Sequence, residues 1–316
     1  MSASNDPRAL IQQADKILAS AGRGGFLRNF FSSEDKYESA IELYVTAANQ
    51  FRMNKQHLES GRTYEQAAQL CVKHNVNAHD HARYLTSAIE RYEDYPKEAI
   101  RCLGELAQHY NKIGNTDQAA TKMVKMAELF DSSGDRRSAM EYYDKAGDMR
   151  TSTFKITARG HWETAARYMV LENEFDKALE TFNKVNASIA KDPKHKHREA
   201  DVRINKALCF LAKNDLDGAA EVIAKSEPLQ RSAHDTTFQD LKSLKEAIES
   251  KDQEKFKEIR EKLKKGWFGD DKEPREHILK HLGNRHFPDE EDPTNEAPTS
   301  NGTPKVVIGA HDEGLE

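Results

Sequence analysis

A beat of 19 or 20 residues runs from Ala40 to about Val185 and limits what the chain can fold into. Reading four, eight and eleven positions on from Ala40 gives Tyr44, Ala48 and Phe51. The same offsets give Tyr64, Ala68 and Cys71 from Ser60, and Tyr84, Ala88 and Arg91 from Asp80. They give Leu103, Ala107 and Tyr110 from Ala99, and Met123, Ala127 and Phe130 from Ala119. Ala139 leads to Tyr143, Gly147 and Arg150, and Ala158 leads to Trp162, Ala166 and Met169. Ala178 and Phe182 open one more unit before the pattern fades at Asn186. Positions four and eight apart share a helix face. The small residue lets the next helix approach, and the large one fills the space beside it. Two units make a hairpin of about 40 residues, close to the period of helix-pair solenoids. One unit cannot bury its own apolar stripe; stacked neighbours can. The alternative is an irregular helical bundle with chance spacing, and eight successive starts with little drift stand against it.

Composition narrows the class further. The chain has 316 residues, of which 32% are charged and 8% aromatic, and strand-like alternation is absent. A net charge of −5 does not mark a nucleic-acid binder. Cys71, Cys102 and Cys209 are far apart and lack metal or redox spacing, so Cys71 and Cys102 read as small apolar residues on packed faces. No apolar run reaches 18 residues, and Met1–Pro7 lacks the basic start and apolar core of a signal peptide.

In chain order, residues 1–22 read as an N-terminal helix entered at Asp6-Pro7. Residues 23–35 form a loop holding Phe26, Leu27, Phe30 and Phe31 beside Arg23 and Arg28. Two readings stand for it: the side chains cap the first repeat, or they dip into a bilayer interface. Residues 36–190 carry the repeats, with Tyr95-Pro96, Gly114-Asn115 and Gly134-Asp135 as turns. Lys191–Arg198 is polar; His195 and His197 invite a metal reading, but the surrounding cations favour a solvated basic loop. Residues 198–287 form a C-terminal helical bundle, with helices over 200–212, 217–226, 238–249, 252–265 and 274–282, and Gly266-Trp267-Phe268-Gly269 as an aromatic turn. Residues 288–316 are acidic and rich in proline and threonine, a composition that predicts no folded core. The expected fold is all-α: a helical-hairpin solenoid of the tetratricopeptide type, a C-terminal bundle and a disordered tail.

No P-loop, GxGxxG, HExxH or GxSxG motif is present. A repeat array works through its surface, so a non-enzymatic scaffold without cofactor or metal is the first expectation. An enzyme whose catalytic groups are assembled only by folding is the rival.

The blocks Lys36–Lys55 and Gln66–Leu70 resemble the soluble NSF attachment proteins, in the alpha/beta branch rather than the gamma branch. Lys97–Leu103, Ala127–Phe130, Glu174–Leu179 and Lys206–Phe210 extend the likeness, which runs from about Ala9 to Leu282. The resemblance implies a cytoplasmic adaptor, monomeric when free and peripheral on the cytosolic face of membranes. Such an adaptor binds assembled SNARE complexes and recruits and stimulates the hexameric ATPase NSF. The SNARE complex is then disassembled in vesicle fusion and intracellular transport, ER–Golgi transport included. A scaffold of the tetratricopeptide type for another peptide or trafficking complex is the alternative.

The resemblance also assigns residues. Phe26, Leu27, Phe30 and Phe31 occupy the place of a membrane-touching loop. Basic side chains meeting acidic SNARE stretches are expected at Lys122, Lys125, Arg159 and Arg167. Thr121 and Gly160 stand near where the family has lysines. The ATPase end is an acidic run with a penultimate leucine. Here Asp289, Glu290, Glu291 and Asp292 are followed by Pro293, while Asp312 and Glu313 precede Leu315. Either an insertion separates the two parts, or the tail is unrelated low complexity.

Overall fold

The computed structural model describes residues 6–21, 33–76, 78–150, 155–226, 235–267 and 269–288. The described residues form fourteen α-helices and no strand. These are α1 (Pro7–Ala21), α2 (Ser33–Met53), α3 (His57–His74), α4 (Ala78–Arg91), α5 (Pro96–Lys112), α6 (Thr116–Ser132), α7 (Arg136–Arg150), α8 (Lys155–Leu171) and α9 (Phe175–Ala190). They continue as α10 (Glu199–Ala212), α11 (Leu216–Ala224), α12 (Asp235–Ser250), α13 (Gln253–Gly266) and α14 (Lys272–His286). Short 3-10 turns at Pro193–Arg198 and Gly269–Asp271 precede α10 and α14. Through α10, each helix packs on the one before and the one after it, as a hairpin array requires.

The beat is the packing code. Its small positions Ala40, Ala48, Ala68, Ala88, Ala119, Ala127, Ala158 and Ala166 are fully buried, and Tyr44, Tyr64, Tyr84, Leu103, Trp162 and Phe182 fill the space beside them. Cys71 and Cys102 are buried on these faces as expected. Met123 and Tyr143 are only half-buried. They fall where one apolar cluster, Ala14 to Leu106, gives way to a second, Met140 to Phe287.

The eleventh position has a backbone task. Phe51, Cys71, Tyr110, Phe130 and Met169 each accept, at the carbonyl, the N–H five residues on, at 2.8–3.1 Å. The residue just before that donor, Lys55, Asn75, Gly114, Gly134 or Asn173, has a positive φ of 53–81°. This is the Schellman end of a helix. The donor then caps the next helix where its side chain allows: Asn115 accepts from the Gln118 N–H at 3.2 Å and Asp135 from the Ser138 N–H at 3.1 Å. Asn214-Asp215 and Lys251-Asp252 repeat the device in the bundle.

The last helix is longer than the expected 274–282, running from Lys272 to His286. Nothing between Leu282 and His286 breaks it, and Gly283 is buried. Trp267, in the expected aromatic turn, is buried in the second cluster. No helix of the described residues is long and apolar enough to cross a membrane.

Candidate functional site: a lysine face and a buried ionic junction

Lys122 and Lys125 lie one turn apart on α6. Lys125 is exposed, Lys122 is half-buried with its ammonium 5.8 Å from the Tyr110 ring centroid, and neither has a carboxylate partner among the described residues. Burial, and then the neighbouring Lys125, push the Lys122 pKa down, so it carries its charge less comfortably than an ordinary lysine. An anion placed there would offset both costs. Arg150, at the end of α7, braces this surface. Its guanidinium donates to Asp117 Oδ1 at 3.1 Å and Thr121 Oγ1 at 2.6 Å on α6, and lies 2.8 Å from His161 Nε2 on α8. Thr121 is thus occupied by Arg150.

Arg159 and Arg167 are placed differently. Arg159 is fully buried, with Nη2 3.5 Å from Asp192 Oδ2 and no hydrogen bond on its three nitrogens. Asp192 in turn caps the 3-10 turn at the Lys194 N–H, 3.3 Å away, and sits 2.7 Å from His195 Nδ1. The guanidinium therefore ties α8 to the α9–α10 connection rather than facing solvent. His195 is engaged with Asp192, and the described residues contain no cluster of three side chains able to hold a metal.

Arg167 belongs to a chain of charges between α8, α10 and α14. It donates to Asp271 Oδ1 at 2.9 Å, and Asp270 lies 3.4 Å away. Asp271 also meets Arg275 at 3.4 Å, and Arg275 donates to Asn205 Oδ1 at 2.6 Å and Asp201 Oδ1 at 3.0 Å. Arg198 donates to Glu163 at 2.7 Å beside them. Glu163, Arg167, Arg198, Asp201, Asn205 and Asp271 line a cavity of about 40 Å³. Burial pushes the Asp271 carboxyl up, but Arg275 and Arg167 outweigh it and leave the pKa below the ordinary value. At Glu163 burial wins over Arg198 and Arg167, and the pKa is raised. The sequence reading missed this junction, because its members come from segments up to 104 residues apart.

Phe26, Leu27, Phe30 and Phe31 lie outside the described residues, as do Asp289, Glu290, Glu291, Asp292, Asp312, Glu313 and Leu315. The structure thus brings together Lys122 and Lys125 on one face, and places Arg159 as a buried tie and Arg167 as a half-buried one on α8.

A family model described as "Soluble NSF attachment protein, SNAP" matches residues 5–262. A probable vesicular-fusion protein sec17 homolog of Neurospora crassa is 30% identical over 257 residues, covering 80% of this chain and 87% of its own length. The beta-soluble NSF attachment protein of Bos taurus is 27% identical over 79% of this chain and 84% of its own. The alpha-soluble NSF attachment protein of Homo sapiens is 26% identical over 81% of this chain and 86% of its own. Among solved structures, YrrB, a tetratricopeptide protein with an unusual peptide-binding site, covers 62% of this chain at 17% identity and a TM-score of 0.32, too loose a likeness to bear on function.

Proposed function

The chain belongs to the soluble NSF attachment protein family, and on that premise we propose that it is a non-catalytic adaptor that binds assembled SNARE complexes and recruits and stimulates the NSF ATPase, so that SNARE bundles are taken apart in vesicle fusion and intracellular transport. The match over residues 5–262 carries this reading. The uncompensated lysines of α6 support the mode of binding, because acidic stretches of a partner bundle would find positive charge on a stiff array. Lys122 and Lys125 make the direct contacts. Arg159 and Arg167 serve the same surface as positioning residues, one fixing the α9–α10 connection and the other the start of α14.

In this reading Phe26, Leu27, Phe30 and Phe31 touch the membrane and keep the adaptor peripheral on the cytosolic face. Asp289–Asp292, with Asp312, Glu313 and Leu315, meet the ATPase ring. Each contact is weak alone, and their combination holds the assembly.

The test is capture of the SNARE bundle and then of NSF by the double variant Lys122→Glu, Lys125→Glu. Bundle capture is expected to fall about tenfold at low salt and less at high salt, with the helical signal unchanged. Undiminished capture overturns the face assignment. A wild-type chain that captures neither the bundle nor NSF overturns the adaptor reading itself.

A further inference from the structure

Between α7 and α9, over the start of α8, lies a groove of about 300 Å³, at the lower end of the range for binding pockets. Its floor is Trp162 and Ala158, Ala187 lies on its exposed α9 side, and its rim is Asp148, Lys184 and Lys191. The floor exists because Gly147 has no side chain: an added Cβ would lie 2.6 Å from two indole atoms of Trp162.

Most of the polar groups here are engaged with one another. The indole N–H donates to Asp148 Oδ1 at 2.9 Å. The Lys184 ammonium bonds Asp144 and Asp148 at 2.9–3.1 Å and stands 5.9 Å from the indole centroid. Lys191, at the mouth, is exposed and has no carboxylate partner among the described residues. An occupant must therefore be apolar at the floor and acidic beside Lys191.

The same chain carries such a segment. Between Pro288 and Glu316 the only three consecutive aliphatic residues are Val306, Val307 and Ile308, and Asp312 and Glu313 follow four and five residues after Ile308. This stretch lies beyond the 5–262 family match. We propose that, in the chain not engaged by the ATPase, Val306-Val307-Ile308 docks in the Trp162 groove of its own chain, with Asp312 and Glu313 against Lys191.

The reach is suitable. The His281 ring lies 5.1 Å from that of Phe175 at the start of α9, while the groove is at the other end of α9. The path along α9 to Ser188 is about 20 Å, and His281 to Pro288 adds about 10 Å. The 18 residues from Asp289 to Val306 span about 60 Å when extended, and their root-mean-square length as a coil is about 25 Å. The path of about 35 Å lies between these two lengths, so the linker can span it, at an effective concentration somewhat below the millimolar maximum. Even a weak aliphatic contact is then populated within one chain.

The test uses the full-length chain alone at low concentration. Zero-length carbodiimide coupling should join Lys191 to Asp312 or Glu313 within the monomer. The variant Val306→Ser, Val307→Ser, Ile308→Ser retains both acids and lies outside every described helix, and should lower that yield about tenfold. Acrylamide quenching of Trp162, read with Trp267→Phe, should rise in the same variant. Ala187→Glu, on the exposed surface of α9, should reproduce both changes from the groove side. Equal coupling yields, unchanged quenching, or links formed only between two chains would each overturn self-docking. Neither SNAREs nor NSF are present, so failure here is distinct from failure of the adaptor reading.

Discussion

In the array, each helix is held mainly by its sequence neighbours; the last helix, α14, is held mainly by contacts that skip far along the chain. α2 packs on α1 and α3, and α6 on α5 and α7. By contrast α14 lies on α8 and α10, and its start is fixed by Arg167, Arg275, Asp201 and Asp271. Small-large apolar stripes suffice where neighbours are local, since a register error would expose a whole face. A helix returning from 100 residues away has many apolar faces to choose from, and buried charges discriminate among them because a wrong docking leaves a charge unpaired. The apolar cluster of the bundle nevertheless begins at Met140, inside the array, so α7 to α9 belong to both regimes.

The strongest test of this contrast removes the pivot of the junction. Arg275 is 6% exposed and serves Asn205, Asp201 and Asp271 together. Arg275→Ala should cost about 2–3 kcal/mol in urea unfolding, because its hydrogen bonds to Asn205 and Asp201 are lost, while Asp201 is partly solvated and Asp271 keeps Arg167. In hydrogen exchange the lost protection should fall on α8, α10 and α14 and spare α2 to α5. Equal loss throughout would mean that array and bundle open as one unit.

A steric test addresses the array itself. Gly147→Ala forces the new methyl against the Trp162 ring, and should cost about 1–3 kcal/mol. Gly160, on the neighbouring helix, has nothing within 4 Å of an added Cβ. Gly160→Ala should therefore be neutral or slightly stabilising through helix propensity. Similar losses at both glycines would show that the close approach of α7 and α8 does not hold the array.

These two regions also differ in how far sequence reveals them. The offsets of four and eight named most of the buried stripe, Met123 and Tyr143 excepted, because a solenoid repeats one local problem. The Schellman turns were legible at Gly114 and Gly134 and less so at Lys55, where a lysine takes the left-handed conformation. At the candidate site Lys122 and Lys125 were named through the family resemblance, and their spacing of three puts them on one helix face. That Arg159 is buried could not be read from either, because its position depends on the α9–α10 connection carrying Asp192 beside it. Arg167 and Asp271 are 104 residues apart, and no periodicity links them.

The turns give a smaller effect. Gly134 has φ of 81° and an added Cβ would meet nothing within 4 Å, so Gly134→Ala measures backbone strain alone. The expected loss is roughly 1 kcal/mol. Gly134→Asn should recover part of it, since asparagine tolerates that conformation, as Asn75 and Asn173 do in this array. Identical stability of the alanine and asparagine variants would remove backbone conformation as the reason for glycine there.

The smallest effect is a pH dependence that should appear in the bundle before its ionic junction is touched. His277, His281 and His286 on α14 all have pKa values lowered from 6.5, chiefly by burial and then by nearby cations and one another. His277 Nε2 lies 3.1 Å from Asn173 Oδ1, and the His281 ring meets Phe175 edge-on, so both face the α8–α9 turn. The folded state prefers these rings neutral. Above the unfolded value near 6.5 they cost nothing. As pH falls through 6.5 toward the lower folded values, the unfolded chain takes up protons first and stability declines. Asp271 acts in a lower window: its folded pKa is below 3.8, so its contribution is lost only as pH falls through that lower value. Exchange protection of α14 should therefore decline in two separate steps on acidification. His281→Gln should shrink the first and leave the second, whereas Asp271→Asn should remove the second, after its own loss of stability at neutral pH. A single step common to α14 and the histidine-free α12 would place the pH response in the whole bundle instead of in the returning helix.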